Sequence, residues 1–530
     1  VPEAAADAVI IGAGPNGLVA ANLLADRGWS VVVCEAAPTP GGAVRSEELI
    51  EPGFVNDVFS AFYPLGAVSP VIRSLHLEEF GLGWRSAPYA LAHPTLDGTC
   101  PILSTDIDET AASLDEFAPG DGDAWRALFA RWQRLRPGLI DGLFTPIPPL
   151  RATARLALAS RHDGPLRLAR FALLPARRLV TEEFTSQQAR RLFTGSAMHA
   201  DLSPDQTLSG FFGFVLNCLG QEIGWPVPAG GAGRLTDALV ARLYARGGSV
   251  RCNTPVDRVV IRDGRASGVR ATGEEIAATR AVLADVDAPR LYRDLVGLEY
   301  LTPRVRDDLR RFEFDHAVFK IDWTLDAPVP WTAPRARRAG VVHIAESLDA
   351  MTETRAQIAR GLLPSDPLLL VGQQSMTDPS RMPAGRETLW AYSHVPRTIR
   401  DDAAGEIAVD GLFDASARER FADRMQARIE ALAPGFCSSI RGRHVMTPAD
   451  LQARDGNLVG GAINGGTGQL YQQLVFRPLP GLGRPETPVR GLYLASASAH
   501  PGGGVHGACG SNAARAAVLH DRLRSTRRGR

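Results

Sequence analysis

The feature that most restricts this chain is the turn Gly12-Ala13-Gly14-Pro15-Asn16-Gly17, a G-x-G-x-x-G sequence. An apolar run, Ala8-Val9-Ile10-Ile11, precedes it and reads as a strand; a helical stretch over about 16–27 follows. A second strand over 30–34 completes a βαβ opening. Each glycine has a physical reason. Gly12 permits the tight turn, Gly14 lets the backbone approach a pyrophosphate, and Gly17 lets the helix pack close to the strand. Pro15 and Asn16 open that helix, whose N-terminus offers unpaired N–H groups and a positive dipole end to phosphate. Glu35 follows the second strand, 23 residues after Gly12, with Ala36 beside it. An acid there accepts hydrogen bonds from a ribose 2′-hydroxyl and disfavours a 2′-phosphate, so the site suits a dinucleotide other than NADP. The competing reading is a glycine-rich turn with a surface glutamate.

A chain of 530 residues is long for a single core and suggests two joined domains. The 58 basic and 58 acidic residues balance, so charge alone drives no binding to nucleic acid. Lys320 is the single lysine; arginine supplies every other basic side chain. Cysteines at 34, 100, 218, 252, 437 and 509 have neither metal-clip nor redox-pair spacing, which predicts reduced thiols and no metal site. With no leader pattern and no run of eighteen apolar residues, the expected location is cytoplasmic, with membrane association left open.

Residues 105–221 read as mostly helical with proline breaks, including one at Pro137, and 207–219 as a core or pocket-lining helix. A helix through Leu235 to Leu239 and short strands to about 284 follow. Strand patterns occupy 318–323, 341–344 and 388–392, and a helix covers 415–432. The final segment holds a strand over 491–495, the run His500-Pro501-Gly502-Gly503-Gly504-Val505-His506, a helix to about 522 and a basic tail expected to fray. Glycines before a helix start let something large approach the backbone, and the helix dipole there stabilises negative charge.

Gly41-Gly42-Ala43-Val44-Arg45 adds a second glycine pair and an arginine directed at a pyrophosphate. With this segment the chain resembles the FAD-binding amine oxidases and phytoene desaturases. The resemblance is closest to the phytoene desaturase-like flavoproteins in the C-terminal glycine run, Gly224-Trp225-Pro226-Val227-Pro228, Thr254-Pro255-Val256, Phe319-Lys320-Ile321-Asp322-Trp323 and Tyr392-Ser393-His394-Val395-Pro396. It extends over essentially the whole chain, and to the pyridine nucleotide-disulfide oxidoreductase domain-containing proteins. It implies FAD as cofactor, with Gly41, Gly42 and Arg45 at the diphosphate, the Val256 backbone at the adenine, and Ser496, Gly503, Gly504 and Val505 at the flavin end. The implied fold is α/β: a Rossmann-like FAD-binding domain from discontinuous segments (1–85, 222–300 and 445–530) beside an α+β substrate-binding domain (86–221 and 301–444, mixed sheet plus helices, helical over 105–221). No second strand–G-x-G-x-x-G–helix unit occurs, so the electron acceptor is expected to be oxygen or a quinone rather than a nicotinamide.

Hydride transfer to a flavin needs few side chains beyond an oriented, dry pocket. Lys320 is the first catalytic candidate; in monoamine oxidases a similarly placed lysine holds a water at the reactive flavin nitrogen. A solvated strand lysine paired with Asp322 competes. His506 is the second candidate, with a helix-capping role competing. His199 and His394 could reach a pocket from the substrate domain. Residues 150–180 carry seven arginines interleaved with leucine, with Asp163 read as the lone acid, and suit either peripheral membrane contact or a solvated helical face. The leading function is dehydrogenation of a C–C bond in a large lipophilic or secondary metabolite. An oxygen-using amine oxidase, a redox-neutral isomerase or reductive cyclase, and a non-enzymatic flavin scaffold are the alternatives.

Overall fold

A computed structural model describes residues 5–161 and 164–528. Asp163 of the arginine-rich stretch lies outside them, as do the last two residues of the basic tail. Ala6–Ile11 sits at the centre of a seven-stranded sheet, parallel to Val31–Cys34 on one side and to the end of Glu274–Ala284 on the other. Ser249–Arg251 extends the first side, and Leu492–Leu494 joins the far edge of Glu274–Ala284, again in parallel. Parallel strands need both faces covered. Alternation supplies this: Ala8, Ile10, Val33 and Leu283 face Pro15–Ala25, Gly233–Ala245 and Ala508–Arg528, while Val9, Ile11 and Val282 face Tyr292 and Leu295. The first half of Glu274–Ala284 instead builds an antiparallel meander with Arg265–Ala271 and Val256–Arg262.

The fold is α/β, with a Rossmann-like unit drawn from both ends and the middle of the chain. N- and C-termini meet closely: a Cβ at Gly510 of the final helix would lie 1.9 Å from the Asn16 carbonyl oxygen.

A second seven-stranded sheet runs Ile440–Met446, Ala317–Leu325, Glu387–Val395, Leu369–Gln373, Ala339–Ile344, Tyr89–Ala92 and Ile102–Ser104. It is antiparallel except where Ala339–Ile344 meets Tyr89–Ala92. Ala317–Leu325 is buried along its whole length. Phe319, Ile321 and Trp323 pack on Phe421, Met425 and Ile429 of Ala415–Leu432. Its other face, expected to carry a solvated Lys320 among the competing readings, is buried as well.

Helices from Ile107–Asp115 to Ser209–Ile223 cover one end of this sheet. Two expectations are corrected here. Pro137 does not break its helix: Asp121–Leu143 runs through it, because Trp125, Leu128, Trp132 and Leu135 anchor the preceding turns in the core. The final helix extends to Arg528 rather than to about 522. Among the described residues no helix is long and apolar enough to cross a membrane.

Candidate functional site

The two sheets enclose a cavity of about 580 Å³ whose walls come from both ends of the chain. At one end lies the glycine turn. Gly12 has φ +91°, and a Cβ at Gly17 would lie 2.3 Å from the Gly12 carbonyl, so glycine is required at both. Glu35 lies across from them: its Oε2 accepts from the Ala13 N–H at 2.7 Å and its Oε1 from the Ala37 N–H at 2.8 Å. These bonds fix the carboxylate against the loop it is expected to serve. The double-glycine turn is tied to the same loop, the Gly41 N–H donating to the Ala13 carbonyl at 2.9 Å.

Gly12, Gly14, Pro15, Asn16, Glu35, Ala36, Gly42, Arg45, Val256, Ser496, Gly504 and Val505 line the cavity. Gly17, Gly41 and Gly503 are not part of its wall. Four described wall residues carry a buried polar atom without a partner: Asn16 Oδ1, Arg45 Nε, Asp287 Oδ2 and Trp390 Nε1. Arg45 otherwise donates from Nη2 to the Arg454 carbonyl and lies over the Phe59 ring at 5.3 Å. A helix N-terminus, the unpartnered Arg45 Nε–H and side-chain-free backbone fit a dinucleotide diphosphate.

Several residues here escaped the sequence reading. Asp285 follows Glu274–Ala284 and its Oδ2 accepts from the Gly17 N–H at 2.8 Å. Burial pushes its carboxyl up to about 7, against that hydrogen bond. Asn457 donates to the Asp285 carbonyl at 3.0 Å, and Asp455 and Arg290 complete this wall. The only signal in the sequence was an acid closing an apolar strand.

Lys320 lines the cavity and is 3% exposed, so it is no solvated lysine. Its Nζ donates to the Asp57 carbonyl at 3.0 Å and to Asp322 Oδ2; Asp57 in turn pairs with the buried Arg381 at 2.8 Å. Burial pushes the ammonium down and the Asp322 carboxyl up. The pairing with Asp322 foreseen in the sequence therefore occurs, but inside the protein.

His506, the second catalytic candidate, lies next to the wall residues Gly504 and Val505 but is not itself part of the cavity wall. Its Nδ1 accepts from the Ala508 N–H at 3.0 Å, at the start of Ala508–Arg528, so it serves that helix. Burial pushes its imidazole down to about 4. His199 does reach the cavity, whereas His394 is buried outside its wall.

Beyond Lys320 the wall turns apolar, with Phe62, Leu216, Trp225, Val341 and Trp390. Leu216 comes from Ser209–Ile223, the helix expected to be core or pocket-lining. Among the described residues no cluster of potential ligands could hold a metal.

Known proteins match this architecture. Residues 10–75 match the profile described as an NAD(P)-binding Rossmann-like domain. Pyridine nucleotide-disulfide oxidoreductase domain-containing protein 2 of Rattus norvegicus is 30% identical, over 96% of this chain and 92% of its own length. A lycopene-forming phytoene desaturase of Pseudescherichia vulneris is 26% identical, over 97% and 99%. Among solved structures, putrescine oxidase bound to putrescine superposes with a TM-score of 0.59 at 18% identity, covering 97% of this chain and 98% of its own; that likeness concerns the fold. Together with the dinucleotide cradle, these matches make FAD the cofactor and oxidation–reduction the chemistry. The chain belongs to the phytoene desaturase-like FAD-dependent oxidoreductases, the family of the pyridine nucleotide-disulfide oxidoreductase domain-containing proteins.

Proposed function

We propose that this enzyme dehydrogenates a C–C bond of a large apolar metabolite and passes the electrons to oxygen or a quinone. The observation that carries the reading is the continuity of one cavity from the glycine loops into a wall of Phe62, Leu216, Trp225, Val341 and Trp390. FAD supplies the two-electron acceptor. The protein's own part is binding, orientation and exclusion of water. Gly12 and Gly17 shape the turn and Pro15 opens its helix, so that the Gly14 and Asn16 backbone N–H groups face the diphosphate, joined by Gly41, Gly42 and Arg45. Glu35, with Ala36, receives the ribose hydroxyls; the Val256 backbone meets the adenine. Ser496, Gly503, Gly504 and Val505 cover the flavin end, next to the final helix. Lys320 presents a buried cation held by Asp322 to the cavity. In this scheme 1–85, 222–300 and 445–530 form the cofactor domain, and 86–221 and 301–444 the substrate domain. The names of relatives agree with the substrate class: besides the lycopene-forming enzyme, a zeta-carotene-forming phytoene desaturase of Myxococcus xanthus is 25% identical over 94% of this chain.

The test is anaerobic. The FAD-loaded protein is mixed with a panel of isoprenoids and polyketides and, separately, with a panel of amines. Flavin bleaching by an isoprenoid or polyketide, with a product two hydrogens lighter, supports the proposal. Bleaching by amines alone, with peroxide formed on admitting oxygen, replaces it with amine oxidation. A product of unchanged mass replaces it with isomerisation.

A second reading concerns the membrane. Leu150, Leu158 and Leu166 on the helices Leu150–Ala159 and Pro165–Leu173 are 73%, 58% and 85% exposed, and Leu173 is also exposed. Arg151, Arg155, Arg161, Arg167 and Arg170 accompany them. Exposed leucine beside arginine supports peripheral contact with an anionic bilayer, from which an apolar substrate would be drawn.

A further inference from the structure

The apolar end of the cavity carries one polar patch. Tyr392 and His199 both line the wall, with Tyr392 Oη 3.2 Å from His199 Nδ1. Behind them His199 Nε2 lies 3.0 Å from Nε2 of the fully buried His343. Aromatic rings hold the group in place. Trp390 stacks on Tyr392 with centroids 5.7 Å apart, and Trp225 meets His199 edge-on at 5.1 Å.

The hydrogen-bond arithmetic of these three side chains is restrictive. Burial holds both imidazoles neutral, pushing His199 down to about 3, and the nearby Arg355 cation acts in the same direction. A neutral imidazole carries one N–H and one lone pair. Two facing Nε2 atoms therefore need opposite roles. If His199 donates to His343, its Nδ1 must accept the Tyr392 hydroxyl proton, and Tyr392 Oη keeps lone pairs free to accept. If His343 donates to His199, then His199 Nδ1–H donates to Tyr392, whose own O–H is free to donate. Either arrangement leaves Tyr392 with hydrogen-bonding capacity that no described residue takes up. The two differ in the tautomer of both imidazoles and in the rotation of the Tyr392 hydroxyl, so the same patch suits an acceptor or a donor. A plain hydrocarbon filling this end of the cavity would exclude water and leave that capacity unsatisfied, which is costly in a dry site.

We propose that Tyr392, positioned by His199 and His343, docks an oxygen substituent of the substrate, and that the substrate is an oxygenated apolar molecule, an alcohol or a carbonyl compound, rather than a hydrocarbon. This rests on the reading that the cavity takes an apolar metabolite. His199 and His343 act through Tyr392 and set which partner it accepts.

The experiment measures binding of farnesol, farnesal and the hydrocarbon farnesene to the FAD-loaded protein, by perturbation of the flavin absorbance. Farnesol or farnesal is expected to bind at least about 10-fold more tightly than farnesene, the scale of one hydrogen bond completed in a dry site. In Tyr392→Phe that preference collapses to within about 2-fold while farnesene affinity holds, because only the hydroxyl is lost. His199→Gln provides a second variant that narrows the preference and keeps the aromatic wall. Equal affinity for all three probes in the unmodified protein overturns the docking assignment and leaves the apolar-substrate reading standing. Persistence of the preference in a folded, FAD-retaining Tyr392→Phe also overturns it. Binding of none of the three overturns both readings together. The comparison within the unmodified protein decides the matter even if neither variant folds.

Discussion

Glu35 and Lys320 show how differently two charged side chains serve one cavity. Glu35 is half-buried, and both its oxygens already accept backbone N–H groups. Replacing it with alanine removes the proposed ribose acceptor and loosens Ala13 and Ala37. FAD affinity is expected to fall by about 1–3 kcal/mol, roughly 5- to 150-fold, in a fluorescence titration of the apoprotein; undiminished affinity would dissociate Glu35 from the ribose. Lys320 needs a paired design. Lys320→Met alone strands Asp322 as a buried, unpaired carboxylate, a change on the order of 3–5 kcal/mol against folding. Lys320→Met with Asp322→Leu removes the pair together and is expected to restore most of the melting temperature. If the ammonium acts in the cavity, flavin reduction or reoxidation stays slow in the stable double variant; rates equal to those of the unmodified protein would make Lys320 purely structural. The sequence exposed the glycines and Glu35 because backbone geometry and ribose chemistry demand those residue types at that spacing. It did not expose Asp285, whose role comes from a contact between residues 268 apart with no local pattern. Tyr392, His199 and His343 escaped as a group for the same reason, since three separate elements bring them together.

Elements, rather than residues, explain why His506 admits two readings. A histidine after a glycine run and before a helix could face a ligand or serve the helix, and only the direction of Nδ1 distinguishes the two. Its neutral form is the one built into the fold, so the pH dependence has a definite sign. With the folded pKa at about 4 and the unfolded one near 6.5, the unfolded state binds the proton first as pH falls. The contribution is fully present above about pH 6.5 and shrinks as pH falls toward about 4; at pH 5 the loss is about 2 kcal/mol. His506→Asn retains an acceptor for the Ala508 N–H and cannot titrate. Its stability, from denaturant melts at pH 7 and pH 5, should decline less than that of the unmodified protein by about that amount. Parallel curves would assign the titration elsewhere. Leu150–Ala159 and Pro165–Leu173 pose a similar ambiguity, since arginine and leucine at helical spacing suit water or a bilayer. The exposed leucines make the choice testable. Leu158→Glu with Leu166→Glu should abolish flotation with vesicles containing anionic phospholipid while leaving FAD content unchanged. If the unmodified protein does not float, this pair of helices has no lipid-binding role.

At the scale of the molecule, the chain closes on itself around its cofactor. The wall of the dinucleotide end draws on residues 11, 12, 14–16, 34–37, 42–45, 285–287, 290, 455–457 and 496–498, and Gly510 seats the final helix directly on Asn16. A ligand that binds only the closed arrangement stabilises it by RT ln(1 + [FAD]/Kd), about 2.7 kcal/mol at a hundredfold excess over Kd. The groups proposed to meet FAD lie at opposite ends of the sequence, so the stabilisation should not be confined to one of them. Hydrogen exchange should record this. On adding FAD to the apoprotein, backbone amides of Pro15–Ala25 and of the start of Ala508–Arg528 should gain protection together and in the same proportion. The strand Ala317–Leu325 is already sealed between Glu387–Val395 and Ile440–Met446 and should change least. Protection at the N-terminal helix alone would mean that the C-terminal glycine run and its helix fold independently of the cofactor. FAD would then be held by the first glycine turn and its neighbours, and the assignment of Ser496, Gly504 and Val505 to the flavin end would fail.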